Sequence, residues 1–218
     1  ANEYLTRINL MKAYKEESDT PILVSKAAAI VGGGNVAMDA ARCSKRLGAD
    51  VYIVYRRGME ELPARREEVE HAEEEGIIFK TLTNPVEVLG NENGEVCGMR
   101  CVEMELGEPD ASGRRKPIPV EGKTETLAID TMILAIGQAV DASIFDCDKT
   151  RKNAIAYDPD TFMTSIPGVF AGGDCGNDKI SIAVEAIADA RKVAGVIDDY
   201  LDGQLIGYEK PFVVERDD

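Results

Sequence analysis

The sequence predicts an α/β fold with a central parallel sheet, built from a βαβαβ unit, an antiparallel meander and a returning strand. Three observations predict it. The apolar run Ala27–Val31 leads into a glycine turn and then into a segment with helical periodicity. A second apolar run, Val51–Tyr55, completes a βαβ unit. From Pro85 onward the runs are shorter, and Asn93-Gly94 is a strong hairpin signal. We therefore expect residues 26–137 to form one compact unit.

The remaining elements follow from the same patterns, taken in chain order. Residues 1–25 predict a helix and an acidic connection. The next predicted elements are a helix at 35–47, a charged helix at 63–75 with Pro63 in its first turn, a strand at 77–81, short strands from 85, an exposed Gly- and Pro-rich loop at 107–123, and strands at 124–129 and 131–136. Beyond Gly137 we expect a strand at 168–174 that runs into a glycine turn, and a long amphipathic helix at 180–201.

Composition restricts the function classes. The formal charge is −15, from 25 Lys and Arg against 40 Asp and Glu, which disfavours nucleic acid as a partner. No apolar run approaches the roughly 20 residues of a membrane helix. The N-terminal segment also lacks the apolar stretch of a signal peptide, so a cytoplasmic protein is expected. Any phosphate site must be local, built from a few basic side chains and backbone N–H groups.

Cysteine and histidine usage excludes several catalytic classes. Five cysteines without a C-x-x-C motif argue against a disulfide framework, a structural zinc site and a redox-active dithiol. Cys97 and Cys101 are expected to be buried thiols. The single histidine, His71, lies in a charged helical segment and is expected at the surface. Ser/His/Asp chemistry and multi-histidine metal sites are thereby excluded, and no catalytic residue or metal ligand is nominated.

The glycine turn has the pattern of a phosphate loop. Residues 32–37 read Gly-Gly-Gly-Asn-Val-Ala, which fits G-x-G-x-x-A between a strand and a helix. Gly32 permits the tight turn, Gly34 lets a pyrophosphate approach the backbone, and the helix N-terminus offers N–H groups and a positive dipole end. Candidate dinucleotide contacts are Gly32, Gly33, Gly34, Asn35 and Val36. The alternative is a glycine turn of structural use alone.

Two arginines indicate which dinucleotide is bound. An NAD site usually places Asp or Glu at the end of the second strand, whereas this strand runs directly into Arg56-Arg57. Paired guanidiniums attract a 2′-phosphate and can bind it bidentately. NADPH is therefore favoured, with Arg65 as a third contact and Arg66 as a weaker candidate. The alternative for Arg65 and Arg66 is a solvated helix face paired with neighbouring glutamates.

These motifs also carry a family resemblance. VGGGNVAMDAAR, VYIVYRR followed by ELPAR, and FAGGD resemble the small (beta) subunit of NADPH-dependent glutamate synthase, and the likeness extends along nearly the whole chain. The wider family includes the flavin half of dihydropyrimidine dehydrogenase. The resemblance implies an NADPH domain at 26–137 inserted into an FAD domain that includes 1–25 and 138–218, with the NADPH domain a Rossmann-like three-layer (ββα) unit. It also implies hydride transfer from NADPH to FAD, with electrons passing to iron–sulfur centres of a partner, the glutamate synthase large subunit or another electron-accepting subunit.

The resemblance extends to residues of the flavin site. Asp174 would hydrogen-bond flavin hydroxyls, and the helix start at Ile180–Ala183, with Ile182, would point N–H groups toward the isoalloxazine ring. Gly137 and Gly173 are further cofactor-binding candidates. A complete family member carries an earlier G-x-G-x-x-G and a cysteine-rich iron–sulfur segment, both missing here. We therefore expect a C-terminal fragment with half an FAD site, the iron–sulfur clusters lying in absent parts, and self-association into a homodimer as a further option.

Three alternatives stand beside the flavin oxidoreductase. A non-catalytic module could bind NADP(H) without holding FAD by itself. A thioredoxin-reductase-like enzyme is disfavoured because its chemistry needs a C-x-x-C motif. A single-domain dehydrogenase with its own substrate site is the third, although no proton-transferring group stands out.

Overall fold

The computed structural model describes residues 1–109, 113, 115–178, 182–204, 207 and 208. The chain divides into two compact units, Ala1–Ile136 and Gly137–Asp218. The first unit is built on a four-stranded parallel sheet in the order β3-β2-β1-β7. Its strands are β1 (Ala27–Val31), β2 (Asp50–Val54), β3 (Ile78–Lys80) and β7 (Thr131–Leu134). The predicted parallel sheet is therefore confirmed.

Helices cover one face of this sheet. They are α1 (Asn2–Leu5), which continues as a π-helical turn (Thr6–Leu10), α2 (Asn35–Arg46) and α3 (Arg66–Glu74). Ala28 and Ile30 of β1 point into this layer, where they pack with the alanines of α2 and with Val69 and Ala72 of α3. Small side chains on α2 allow close packing of helix and sheet, which brings the start of the helix up to the end of β1.

An antiparallel sheet covers the other face. It contains β4 (Thr83–Gly90), β5 (Val96–Pro109) and β6 (Arg115–Leu127), in the order β4-β5-β6. Ala29 and Val31, the alternate residues of β1, pack here against Met99 and Cys101 of β5. Because successive side chains of a strand point to opposite faces, β1 contributes to both cores. The three-layer arrangement implied by the family resemblance is confirmed.

The segment predicted as an exposed loop at 107–123 is instead mainly a β-ribbon. Strand β5 continues to Pro109 and β6 begins at Arg115, so the two strands pair well beyond the sheet core. Gly and Pro content suggested a loop, but Pro117 and Pro119 lie on β6, which is an edge strand of its sheet. An edge strand tolerates proline because one side of its backbone needs no ladder hydrogen bond.

Helix α3 begins three residues later than predicted. Pro63 was expected in its first turn, but the helix starts at Arg66, and Arg65 has an extended backbone (φ −61°, ψ 141°). Hydrogen bonds hold the preceding segment against the glycine turn, with the Ala64 N–H donating to the carbonyl of Gly33. These tertiary contacts outweigh the helical tendency of the segment.

The second unit contains the long helix α4 (Ala183–Leu201) and a short 3₁₀ turn (Gly173–Cys175). The helix ends where the sequence predicts, while residues 179–181 at its expected start lie outside the described part of the chain. The predicted strand at 168–174 is not formed. Only an isolated bridge joins Met163 to Phe170, because the described residues of this unit offer that segment no continuous neighbouring strand.

Cysteine burial follows the prediction in part. All five cysteines are free thiols; Cys101 is fully buried as expected, whereas Cys97 is exposed on β5. His71 is exposed on α3, in agreement with the prediction. Within the described residues, none of the helices has the length and apolar character required to span a bilayer.

Candidate functional site

The glycine turn lies at the carboxyl end of the central strand of the parallel sheet. Val31, the last residue of β1, pairs with Val54 of β2 on one side and with Leu134 of β7 on the other. The chain moves outward from β1 to β2 and β3, and then returns to β7 on the opposite side. The end of β1 is therefore a topological switch point, where open α/β sheets form their ligand crevices.

Gly32 is required by the backbone itself. Its φ of +143° is unfavourable for residues with a side chain, and a Cβ placed on it would lie 2.2 Å from the carbonyl oxygen of Ala135. Its N–H donates to the carbonyl of Val54 at 3.0 Å, which joins the turn to β2. Gly32 thus allows the turn to leave β1 in close contact with the residue that follows β7.

Gly33 and Gly34 face different surroundings. A Cβ on Gly33 would lie 2.7 Å from Leu62 and 2.9 Å from the ring of Tyr55, so this position is closed by packing. A Cβ on Gly34 would have no neighbouring atom within 4 Å. The turn is therefore covered at Gly33 and open at Gly34. An open approach to backbone at this position is what a pyrophosphate requires.

Gly34 is the N-cap of α2, and its carbonyl accepts the N–H groups of Ala37 and Met38. The first N–H groups of any helix have no acceptor within the helix, and they carry the positive end of its dipole. Asn35 and Val36 provide these groups here, and 45% of Val36 is exposed. The helix therefore presents backbone donors beside the open side of Gly34, an arrangement suited to an anion.

The segment before α3 lies across the glycine turn. The Oδ1 atom of Asn35 accepts the backbone N–H of Arg65 at 2.9 Å, and the Gly33 carbonyl accepts the N–H of Ala64 at 3.1 Å. Arg65 is thereby held next to the start of α2, with its side chain exposed. The sequence suggested Asn35 as a cofactor contact, but not that its amide would hold this segment in place.

The four arginines considered from the sequence differ in their contacts. Arg56 is exposed two residues beyond Val54, and within the described residues its guanidinium has no ion pair or hydrogen bond. Arg57 is half-buried, and its Nε donates to the carbonyl of Arg115 at 2.9 Å. Arg66 forms an exposed ion pair with Glu70, so the interpretation as a solvated helix face applies to it.

Two further arginines join α2 to α3. Arg42 contacts Glu68 at 3.0 Å and Glu75 at 2.8 Å, and Arg46 contacts Glu75 at 2.7 Å. The hydrogen bond from Arg46 holds the pKa of the Glu75 carboxyl below its ordinary value, and Arg42 adds to this effect. These arginines are neutralised by partners, and their structural role is to fix α3 against α2.

The candidate residues of the second unit surround its 3₁₀ turn. Gly173 has a φ of +66°, Asp174 is exposed, and Ile182 is the partly exposed N-cap of α4. Gly137 is exposed with a φ of +94°. An open pocket of about 500 Å³ lies between the turn and α4 and is lined by Phe170–Cys175, Ala186, Ala190 and Val193. Residues 180 and 181, also expected at a flavin site, lie outside the described part of the chain.

A residue not singled out from the sequence supports this turn. Asp189 is 4% exposed, and its Oδ2 accepts the N–H of Gly173 at 3.3 Å, while Lys192 lies 3.9 Å from its Oδ1. A carboxylate on the buried side of α4 shapes the glycine turn through this contact. The only sign of this in the sequence was that the aspartate lies among the apolar residues on one face of the predicted helix.

A glycine turn that joins the central parallel strand to a helix N-terminus at a switch point is characteristic of dinucleotide-binding α/β domains. Comparison with known families agrees with this class. The family model described as pyridine nucleotide-disulphide oxidoreductase matches residues 3–190, and the chain belongs to this family.

Two curated relatives and one solved structure illustrate the similarity. The beta subunit of NADP(+)-dependent formate dehydrogenase from Moorella thermoacetica is 48% identical over 83% of this chain and 26% of its own length. The small chain of glutamate synthase [NADPH] from Escherichia coli (strain K12) is 37% identical over 88% of this chain and 43% of its own length. The resemblance to the glutamate synthase small subunit is thereby confirmed, and the chain spans less than half the length of either relative.

Thioredoxin reductase from T. acidophilum has a similar fold. Its TM-score is 0.65 with 19% identity, over 81% of this chain and 53% of that structure. Because the identity is only 19%, the similarity concerns the fold alone.

Proposed function

We propose that this chain is the NADPH-binding portion of a flavin-dependent oxidoreductase of the glutamate synthase small-subunit type. Residues 26–137 would bind NADPH, and residues 1–25 and 138–218 would contribute to an FAD domain. When bound, these cofactors supply hydride transfer, with electrons passing on to iron–sulfur centres of a partner. The observation that carries the proposal is the exposed Arg56 guanidinium beyond β2, without a partner among the described residues.

The glycine turn would hold the pyrophosphate. Gly34 leaves the approach to its backbone open, and Asn35 and Val36 provide helix N-terminal N–H groups beside it. The side chain of Asn35 is already used to hold Arg65, so its contribution to the ligand would come from its backbone. The residues present thus fit a dinucleotide at this position.

The arginines would select the phosphorylated cofactor. Arg56 and Arg57 follow β2 directly, where a ribose-binding carboxylate stands in NAD sites. Each charge-assisted hydrogen bond to a phosphate is worth about 1.5–3 kcal/mol, so losing one weakens binding by roughly ten- to a hundred-fold. Arg65, held at the edge of the turn, would add a third positive charge.

The relatives support this choice of cofactor and a partner subunit. Their names specify NADP(+) for the formate dehydrogenase and NADPH for the glutamate synthase. Both are also named as a subunit or chain of a larger enzyme. We therefore propose an electron-accepting partner subunit, with the glutamate synthase large subunit as one candidate.

Isothermal titration calorimetry of the 218-residue chain tests the cofactor choice. We expect 2′-phospho-AMP to bind roughly ten- to a hundred-fold more tightly than AMP, and Arg56→Ala to lose most of this preference. Arg66→Ala is the matched control, because it removes the same charge from an arginine already paired with Glu70. Equal affinities of the unmodified chain for the two ligands would refute the assignment to NADPH.

A second candidate function is a module that binds NADP(H) without holding FAD. Two observations favour it. The sequence contains a single G-x-G-x-x-A loop, and the described residues of the second unit form isolated bridges without a regular strand. The visible absorbance of the purified chain separates the two functions. A flavin band supports the oxidoreductase with its Asp174 and Gly173 contacts, and a colourless protein that prefers 2′-phospho-AMP supports the module.

A further inference from the structure

The end of the β5–β6 ribbon lies beside the arginines that follow β2. We define the ribbon end as Leu106–Pro109 together with Arg115–Pro117, whose strands remain paired at Leu106 with Pro117 and at Pro109 with Arg115. Its carbonyl at Arg115 accepts a hydrogen bond from Nε of Arg57. Its side chain at Leu106 would lie 3.8 Å from a Cβ placed on Gly58. The ribbon end thus covers the chain segment that leaves the carboxyl end of β2.

This contact fixes the orientation of one guanidinium. Arg57 is half-buried, and its Nε–H donates a hydrogen bond to the Arg115 carbonyl at 2.9 Å. Among the described residues, the Nη1 and Nη2 atoms of Arg57 have no hydrogen bond. The planar group therefore keeps two parallel donors for a bidentate acceptor. Arg56, by comparison, is exposed and has no such support within the described chain.

We infer that the ribbon end is a positioning element for the 2′-phosphate of the dinucleotide: the Arg115 carbonyl holds Arg57 so that its terminal nitrogens bind the phosphate. This inference rests on the proposed function and deepens it. A long, flexible side chain loses conformational freedom when it binds, and a side chain already held in place loses less. The ribbon would therefore increase affinity for the phosphorylated cofactor without touching the adenosine.

A shortened ribbon tests the inference. In this variant Glu105 is joined to Ile118 by Asn-Gly, which replaces residues 106–117 at a point where the two strands pair directly. We expect its affinity for 2′-phospho-AMP to fall about three- to ten-fold while its affinity for AMP changes less than about two-fold. Lys123→Ala is the matched control, since it removes a charge from the same ribbon at an ion pair with Glu103.

Arg57→Lys provides an independent measurement, and full preference in this variant would overturn the inference even if the shortened chain does not fold. Lysine keeps the charge but cannot donate to the Arg115 carbonyl and a phosphate in the same planar geometry. We expect the same selective loss of about three- to ten-fold for 2′-phospho-AMP. Full preference in either folded variant would overturn the inference and leave the proposed function intact. Equal binding of AMP and 2′-phospho-AMP by the unmodified chain would overturn both.

Discussion

Two alanine substitutions in the glycine turn separate its structural role from its binding role. Gly32 has a φ of +143°, and an added Cβ would lie 2.2 Å from the Ala135 carbonyl oxygen. Gly34 has an extended backbone (φ −88°, ψ 176°) and an added Cβ that meets no atom within 4 Å. We therefore expect Gly32→Ala to damage the fold, and Gly34→Ala to leave the fold intact but to obstruct the ligand.

The expected stability changes differ several-fold. At Gly32, a strained backbone and a forced steric overlap each cost about 1–3 kcal/mol, so the free energy of unfolding should fall by about 2–6 kcal/mol. For a chain of this size a loss in the middle of this range, about 4 kcal/mol, lowers Tm by roughly 8–16 °C. At Gly34, alanine is a slightly poorer N-cap but restricts the unfolded chain more, so the net change should stay within about 0.5 kcal/mol.

For ligand binding, the informative substitution is the one at Gly34. A methyl group on Gly34 would occupy the open approach to the N–H groups of α2. Loss of one charge-assisted hydrogen bond to the pyrophosphate weakens NADP⁺ binding by roughly ten- to a hundred-fold. Thermal denaturation followed by circular dichroism measures the stability, and calorimetry with NADP⁺ measures the affinity.

Each measurement can refute part of the reasoning. Wild-type affinity in Gly34→Ala would show that the pyrophosphate does not approach this backbone, and the binding role of the turn would be lost. A wild-type melting temperature in Gly32→Ala would contradict the steric account of the turn. A stable Gly34→Ala protein with weakened binding is the combination that the geometry requires.

Two other predictions concern the first unit. Because the folded-state pKa of Glu75 is lowered, its contribution to stability is present above its unfolded pKa and lost as pH falls through the folded value. Glu75→Gln should therefore reduce the unfolding free energy by about 1 kcal/mol or less at pH 7, with no difference in strong acid, as measured by urea denaturation. Glu70→Gln, at an exposed ion pair, is the control, and an effect equal to that of Glu75→Gln would contradict the distinction. Burial, aided by the charge of Glu125, raises the pKa of the Cys101 thiol to about 11, so iodoacetamide should modify exposed Cys97 far faster. Equal labelling rates by mass spectrometry would exclude this.

The part of the fold that follows from local pattern was predictable. The strand Ala27–Val31 has the predicted bounds, α2 ends one residue earlier than predicted, and β2 is shifted by one residue toward the N-terminus at both ends. Within a short stretch these elements combine an apolar run, apolar residues at helical spacing, and glycines at the turns. The local conformational preferences and the tertiary packing therefore favour the same structure. The glycine turn could be predicted for the same reason, because its residue types follow from the backbone conformation.

Features that depend on distant contacts could not be predicted. The ribbon pairs residues rich in Gly and Pro, and only the edge position of β6 makes those prolines acceptable. The start of α3 is moved by hydrogen bonds from Ala64 and Arg65 to the glycine turn. The contact between Arg57 and Arg115 joins positions 58 residues apart, so no local sequence pattern could predict it.

The ion pairs explain how an acidic protein can still offer a local site for phosphate. The net charge of −15 opposes general binding of polyanions. On the helical face, Arg42 and Arg46 form ion pairs with glutamates, and these pairs neutralise their charge and hold α3 to α2. Beyond β2, Arg56 has no carboxylate partner among the described residues, while the neutral carbonyl that holds Arg57 does not cancel its charge. Positive charge is therefore kept available next to the glycine turn and is neutralised on the α2–α3 face. Under the proposed function, a phosphate would be directed to the end of β2, where the ribose of a dinucleotide bound at the glycine turn would place it.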